Sequence, residues 1–97
     1  MAAEGNLRAK LKARVEAHGG EVRAVKWLGR SNAPDVLVLM PYAEGVRDRA
    51  YHAFVETKGT QVASDAQLRE HKRMREAGCQ VILCRNETEL NEWLPPL

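Results

Sequence analysis

A stripe of apolar residues four positions apart predicts a helix from Glu4 to His18, ended by the pair Gly19-Gly20. The stripe consists of Leu7, Leu11 and Val15. The remaining positions of this stretch are mostly charged or small, as expected for a helix that packs through one face only. The chain therefore begins with an amphipathic helix.

A second helix is predicted from its cap, Ser64, to about Ala77, with Gly78 as its stop. Ser64 and Gln67 have the spacing of a capping box, in which the two side chains each bond the backbone N–H of the other residue. A third, short helix is predicted near the C-terminus, where the candidate caps and apolar residues are Asn86, Thr88, Leu90, Trp93 and Leu94.

Between the helices the pattern is that of strands. Val36 to Met40 is an uninterrupted apolar run, which is typical of a strand buried on both faces. Tyr51 to Lys58 alternates between apolar and polar residues, and Glu21 to Leu28 does so less regularly. Cys79 to Cys84 follows a helix, which indicates a crossover into the same sheet. The predicted order is α-β-β-β-α-β-α.

Two carboxylates and a lysine stand at the ends of neighbouring predicted strands. Asp35 follows Pro34 and immediately precedes the apolar run, whereas Glu56 and Lys58 close the alternating strand. Glu56 and Lys58 share one face of the pleat, with Cα atoms roughly 6.5 to 7 Å apart. If the two strands pair as a hairpin, both carboxylates and the ammonium converge.

Carboxylates held close together repel each other unless a cation lies between them, and hard oxygen ligands favour Mg²⁺ or Mn²⁺. A lysine beside such an ion can orient a water molecule or neutralise charge on a phosphate. The pattern therefore suggests metal-assisted hydrolysis of a phosphodiester. An ordinary alternative exists for each part, because Pro-Asp also forms simple turns and Glu-X-Lys also forms solvated ion pairs.

Composition is that of one globular domain covering residues 1–97, with 44% hydrophobic and 29% charged residues. No apolar run approaches the ~20 residues needed to span a membrane, and no signal-peptide core is evident, so a cytoplasmic protein is expected. Cys79 and Cys84 are expected to be reduced thiols, and the three histidines show no zinc spacing.

The net charge is only +2, but residues 1–30 hold seven Lys and Arg against three Glu. A basic stretch of this kind can face phosphates, although a solvated helix face is an equally ordinary explanation. His71 could likewise contact a phosphate or pack beside Met74. The candidate nucleic-acid contacts are Arg8, Lys12, Lys26, Arg30, His71 and Lys72.

The element order, with aspartate before the second strand and Glu-X-Lys at the end of the third, resembles the PD-(D/E)xK nuclease superfamily. Within it, the chain is most similar to the VRR-NUC family of small virus-type (phage) nucleases. The residues that carry the resemblance are Glu4, Gly19-Gly20, Pro34-Asp35, Glu56-Thr57-Lys58, Gln67 and Gly78. The resemblance implies a restriction-endonuclease-like α-β-β-β-α-β core, with a mixed sheet flanked by helices and a short C-terminal helix.

The resemblance also implies roles. Asp35, Glu56 and the backbone carbonyl of Thr57 would bind Mg²⁺ or Mn²⁺, with Lys58 as the catalytic lysine. Glu4 would complete the metal shell, and Gln67 would order the site. Each of these last two has an alternative, because Glu4 also suits the helix dipole and Gln67 the capping box.

The resemblance to small members of this family implies a homodimeric endonuclease that cuts branched DNA such as a Holliday junction. Trp27 and Trp93 are candidates for an exposed dimer surface. The family usually has a glycine two residues before the aspartate, whereas here Asn32 lies three residues before it. Asparagine tolerates a left-handed backbone, so the turn is expected to form. A non-catalytic nucleic-acid-binding or repair-partner module, and an RNA substrate, are the alternatives.

Overall fold

Residues 4 to 97, the part of the chain that the computed structural model describes, form helices and strands in the order α-β-β-β-α-β-α. Side chains are described from residue 6 onward. The helices are α1 (Glu4–Ala17), α2 (Asp65–Glu76) and α3 (Glu87–Trp93). The strands are β1 (Glu21–Ala24), β2 (Val36–Met40), β3 (Tyr51–Thr57) and β4 (Val81–Cys84). The predicted fold class is confirmed.

The strands form one mixed sheet in the order β1-β2-β3-β4. The pairs β1/β2 and β2/β3 are antiparallel, whereas β3 and β4 run parallel. A parallel pair needs a crossover connection, and α2 lies in that connection. In the antiparallel register Val36 faces Val55 and Met40 faces Tyr51, so the hairpin is in register along the whole of β2.

One face of the sheet is closed by an apolar core. The α1 stripe predicted from the sequence is wholly buried, and it packs with alternate residues of β2 and β3 and with α3. The core residues are Leu7, Leu11, Val15, Val36, Val38, Met40, Val55, Cys84, Leu90 and Leu94. Burial of this continuous cluster is the main source of stability for so small a domain.

The turn from α1 into β1 approaches β2 so closely that a side chain would not fit. A Cβ atom on Gly20 would lie 2.7 Å from the Leu39 carbonyl oxygen and 2.9 Å from a Val15 methyl carbon. Gly19 has φ +85°, a backbone conformation that favours glycine. Both glycines of the pair therefore have a structural reason, one conformational and one steric.

The opposite face of the sheet is covered in part by α2 and is much more polar. Glu56 alternates with Val55 along β3 and so points away from the apolar core. The buried residues of α2 are Glu70, His71 and Met74, two of them polar. Buried polar side chains thus concentrate on the α2 face.

Three details differ from the sequence-based expectation. β1 ends at Ala24 rather than Leu28, because the chain leaves the sheet and the Trp27 ring packs on Phe54, with ring centroids 5.3 Å apart. Trp93 packs against the core, so neither tryptophan is an exposed surface anchor. β2 is fully buried on one face and half-buried on the other.

No helix among residues 4 to 97 is long and apolar enough to cross a membrane.

Candidate active site at the end of the hairpin

Asp35 and Glu56 occupy neighbouring backbone positions at the end of the β2/β3 hairpin. The last paired residues at this end are Val36 and Val55. The next residue on β2's side is Asp35, and the next on β3 is Glu56, so the same register sets them opposite each other. Directly opposed residues of an antiparallel pair have Cβ atoms about 4.5 to 5.5 Å apart. The register therefore sets the two predicted metal ligands at adjacent backbone positions.

Asp35 is held by contacts on both sides of it. Its backbone carbonyl accepts a hydrogen bond of 2.9 Å from the Val25 N–H, and its carboxylate accepts one of 3.1 Å from the Arg8 guanidinium. The preceding carbonyl, of Pro34, accepts a hydrogen bond of 2.7 Å from the Trp27 indole. Asn32 has φ 70°, so the expected left-handed turn is present. The loop delivers Asp35 in a defined position.

Glu56 lies inside the protein, beside His71 of α2. The His71 Nε2 atom is 3.5 Å from Glu56 Oε1, and both side chains are almost completely buried. Burial lowers the pKa of the His71 imidazole, and the charges of Arg75 and Lys58 lower it further against the opposing effect of Glu70. A neutral imidazole therefore faces the carboxylate. Of the two alternatives predicted for His71, its burial agrees with a packed side chain and not with a surface contact to phosphate.

Thr57 and Lys58 complete the Glu-X-Lys segment at the end of β3, and both are buried. The backbone N–H of Lys58 donates a hydrogen bond of 3.1 Å to the Cys84 carbonyl, which ties the segment to β4. The ammonium is close enough to the imidazole of His71 to influence its pKa. Burying an ammonium is costly for stability, so a functional reason for the burial of Lys58 is expected.

A buried glutamate of α2, not singled out in the sequence, links this helix to the loop that carries Asp35. The Glu70 carboxylate accepts hydrogen bonds from Arg30 in that loop and from Arg73 one turn along the helix. The two guanidinium groups hold the pKa of Glu70 below its ordinary value. Its position four residues before Met74 on the inner helix face was the signal for its burial.

Gln67 forms the predicted capping box with Ser64. Its backbone N–H donates to the serine hydroxyl at 3.1 Å, and its side-chain oxygen accepts from the Ser64 N–H at 2.9 Å. The structural role expected for Gln67 is thus confirmed. Its role in ordering the site stays a prediction.

The donors at this end of the sheet fit a hard divalent cation. Two carboxylates and a backbone carbonyl offer oxygen atoms only, as Mg²⁺ and Mn²⁺ prefer. Glu4 begins α1, but its side chain lies outside the described residues. Among the side chains that are described, no three His, Cys, Asp or Glu residues form a metal-binding group. The candidate centre therefore rests on Asp35, Glu56 and the Thr57 carbonyl.

An open groove of about 420 Å³ between α1 and β1 leads to Asp35. Arg8, Lys12 and Arg23 are among the residues that line it. Arg23 was not among the residues predicted to contact nucleic acid. Its place in the lining follows from the packing of α1 against β1, which no periodic pattern in the sequence specifies.

The other predicted phosphate contacts, apart from His71, are exposed. Lys26, Arg30 and Lys72 all belong to this group, and Arg30 is ion-paired with Glu70. Lys12 is exposed and lies 3.6 Å from Glu16. Of the predicted phosphate contacts, Arg8 bonds Asp35 directly, and Lys12 lines the same groove.

Comparison with solved structures gives a match to a chain described as a VRR_NUC domain, with a TM-score of 0.74 and 38% sequence identity. The match covers 94% of this chain and 94% of that one. No family model matches the sequence, and no curated protein matches it either.

Proposed function

This chain belongs to the VRR-NUC family of nuclease domains, and from that membership we propose that it is a divalent-metal-dependent DNA endonuclease. The observation that carries the proposal is the opposition of Asp35 and Glu56 at the end of the hairpin, with Lys58 buried next to them. Hydrolysis of a phosphodiester needs a site that concentrates positive charge at the phosphate, and this arrangement suits that purpose.

Asp35, Glu56 and the Thr57 carbonyl would hold Mg²⁺ or Mn²⁺, with Glu4 joining them from α1. When bound, such an ion polarises the phosphate and makes a bound water more acidic. The Lys58 ammonium, held in a buried position, would orient the attacking water and offset negative charge that develops on the phosphate. Gln67 would order the start of α2 beside the site.

Positive side chains around the groove would hold the DNA backbone. We assign this role to Arg8, Lys12, Lys26, Arg30 and Lys72, and add Arg23 of β1, which also lines the groove. Contacts to phosphates position the duplex without reading its sequence. The expected preference is therefore for a DNA shape and not for a base sequence.

A nicking assay on supercoiled plasmid tests the proposal. The wild-type protein should nick with Mg²⁺ or Mn²⁺ and be inactive with chelator. Glu56→Gln should remain folded and lose cleavage, because the amide is a poorer metal ligand than the carboxylate. Glu76→Gln, an exposed position on α2, is the matched control and should cleave normally. Undiminished cleavage by Glu56→Gln would refute the assignment.

The same assay separates the enzyme from the alternative of a binding module on this fold. A module would bind plasmid in the presence of metal and never nick it. A parallel arm with single-stranded RNA distinguishes the nucleic-acid class, because a site built on phosphate contacts does not itself exclude RNA.

We also propose that the protein is a homodimer that prefers branched DNA. A chain of 97 residues buries a limited fraction of its surface, and Leu28 and Val62 at the site end of the sheet are 97% and 88% exposed. A dimer would hold two sites at a fixed separation, which suits a junction with two scissile strands. Sedimentation as a monomer at micromolar concentration, or equal cleavage of linear and branched DNA, would contradict this part.

A further inference from the structure

Two adjacent residues of α2 are buried although both are polar. Glu70 is 5% exposed and His71 is fully buried, on a helix face that would ordinarily be apolar. Burial of polar groups costs stability unless they are paired. His71 contacts Glu56 on β3, whereas Glu70 contacts the loop that carries Asp35. These contacts offer a reason for the burial of both residues.

His71 contacts the half contributed by β3. Its Nε2 atom lies 3.5 Å from Glu56 Oε1, slightly beyond ordinary hydrogen-bond length, and both side chains are almost wholly buried. Because the imidazole fills the space beside the carboxylate, it limits the directions in which Glu56 can point. An outer residue that fixes a ligand in this way commonly controls metal affinity.

Glu70 contacts the half contributed by the loop before β2. It accepts a hydrogen bond from Arg30, which lies five residues before Asp35 in that loop. It also accepts from Arg73 on its own helix, at 2.6 Å. Of these two arginines only Arg30 belongs to the loop, so the Glu70–Arg30 pair joins α2 to the segment that delivers Asp35.

We propose that Glu70 and His71 are positioning residues that together set the placement of Asp35 and Glu56 for a shared divalent cation. Successive residues on a helix point about 100° apart, so one turn of α2 can reach both the loop and β3. The inference rests on the proposed function, because it assumes that Asp35 and Glu56 bind the metal.

The test measures Mn²⁺ binding to the free protein by calorimetry, with thermal unfolding recorded for every variant. His71→Leu removes the imidazole and keeps an apolar filler, and we expect Mn²⁺ affinity to fall by about 10- to 100-fold, the loss typical of outer-shell changes. His71→Gln retains an N–H donor near the place of Nε2 and should recover most of that affinity.

Glu70 is tested through its two partners. Glu70→Gln and Arg30→Gln should each weaken Mn²⁺ binding. The double variant should lose no more Mn²⁺ affinity than the more impaired single variant, because both substitutions break the same contact. Arg73→Gln is the matched control. It removes a partner of Glu70 that does not reach the loop, and it should leave Mn²⁺ affinity unchanged.

The outcomes separate the inference from the proposed function. If Glu56→Gln binds Mn²⁺ as well as wild type, the metal site itself is wrong. If Glu56→Gln abolishes binding while His71→Leu, Glu70→Gln and Arg30→Gln bind normally, the positioning role is overturned and the nuclease proposal stands. Should His71→Leu fail to fold, His71→Gln and the Glu70–Arg30 double-variant cycle decide the question. If Mn²⁺ affinity falls only in proportion to the melting temperature of each variant, the inference is overturned.

Discussion

The two faces of the sheet are built from different chemistry. On the α1 face the buried residues form a continuous apolar cluster, from Leu7 to Leu94. On the α2 face the buried residues include two carboxylates, an imidazole and a lysine, those of Glu56, Glu70, His71 and Lys58. Buried charges contribute little net stability compared with apolar residues of the same size. The contrast indicates that the α1 face stabilises the fold, whereas the α2 face holds buried charge that stability alone does not require.

The strongest way to test this contrast is a cavity in the α1 face. Leu11→Ala removes a wholly buried side chain and should cost about 2 to 5 kcal/mol in the free energy of unfolding. Urea denaturation measures the loss. Leu97→Ala is the control, since Leu97 is 81% exposed and its truncation should change stability by less than about 0.5 kcal/mol. A small loss at Leu11 would mean that the apolar face is not the stabilising one.

A change on the α2 face should lower the cleavage rate without lowering stability. Lys58→Met keeps the length of a buried side chain and removes its charge. We expect cleavage to fall by about 10²-fold or more, as for loss of one electrostatic contact to the transition state. Stability should be unchanged or increased, because an apolar replacement avoids burying an ammonium. Plasmid nicking rates and melting temperatures measure the two effects. A Lys58→Met variant with a lowered melting temperature and a normal cleavage rate would contradict this assignment of Lys58.

The turn at Gly20 provides a smaller test of the stabilising face. Gly20→Ala would push a methyl group against the Leu39 carbonyl and a Val15 methyl group. Overpacking of this kind costs about 1 to 3 kcal/mol. Chemical denaturation should detect the loss, whereas the cleavage rate of the folded protein should not change. Gly45→Ala tests a glycine with open space around it, where only the positive φ opposes the new side chain.

Acid should reveal the contribution of Glu70. Its pKa is lowered in the folded protein by Arg30 and Arg73, so its stabilising effect is complete above the unfolded pKa of about 4.3 and is lost as pH falls through the lower folded value. Glu70→Gln should therefore be less stable than wild type at pH 7. The difference should shrink as pH falls below about 4, and urea midpoints across this range measure it. A difference that is independent of pH would contradict the ion pairing.

The mildest change concerns the groove. Arg8→Gln removes a cation that bonds Asp35 and lines the groove. We expect DNA affinity to weaken modestly and the slope of log affinity against log salt to decrease by about one. Fluorescence anisotropy over a salt series measures this slope. Arg49→Gln, on the exposed hairpin loop at the other end of β3, should leave it unchanged.

The sequence predicted the fold because its local patterns agree with one another. The α1 stripe, the apolar run at Val36 and the Ser64 capping box each specify an element, and all three are present. The opposition of Asp35 and Glu56 also followed, since an antiparallel hairpin fixes which residues face each other once its strands are known. The predicted end of β1 was wrong because tryptophan is common in strands, whereas Trp27 lies beyond the paired residues of β1 and packs on Phe54.

The partners of α2 were beyond reach from sequence for a physical reason. Helical periodicity places Glu70 and His71 near an inner face, but it does not say which strand or loop they meet. The contact of His71 with Glu56 depends on how the crossover helix lies across the sheet. The Arg30 contact depends on a loop whose path no periodic pattern describes. Metal ligation by Asp35 and Glu56 stays a prediction.

The sheet ends at β1, a four-residue strand that has β2 as its neighbour on one side only. The other side presents backbone N–H and C=O groups that could template the addition of a foreign strand. Glu21 and Arg23 lie along this short border and pair with each other at 2.6 Å. Charges on so short an edge strand disfavour its pairing with a strand of another chain.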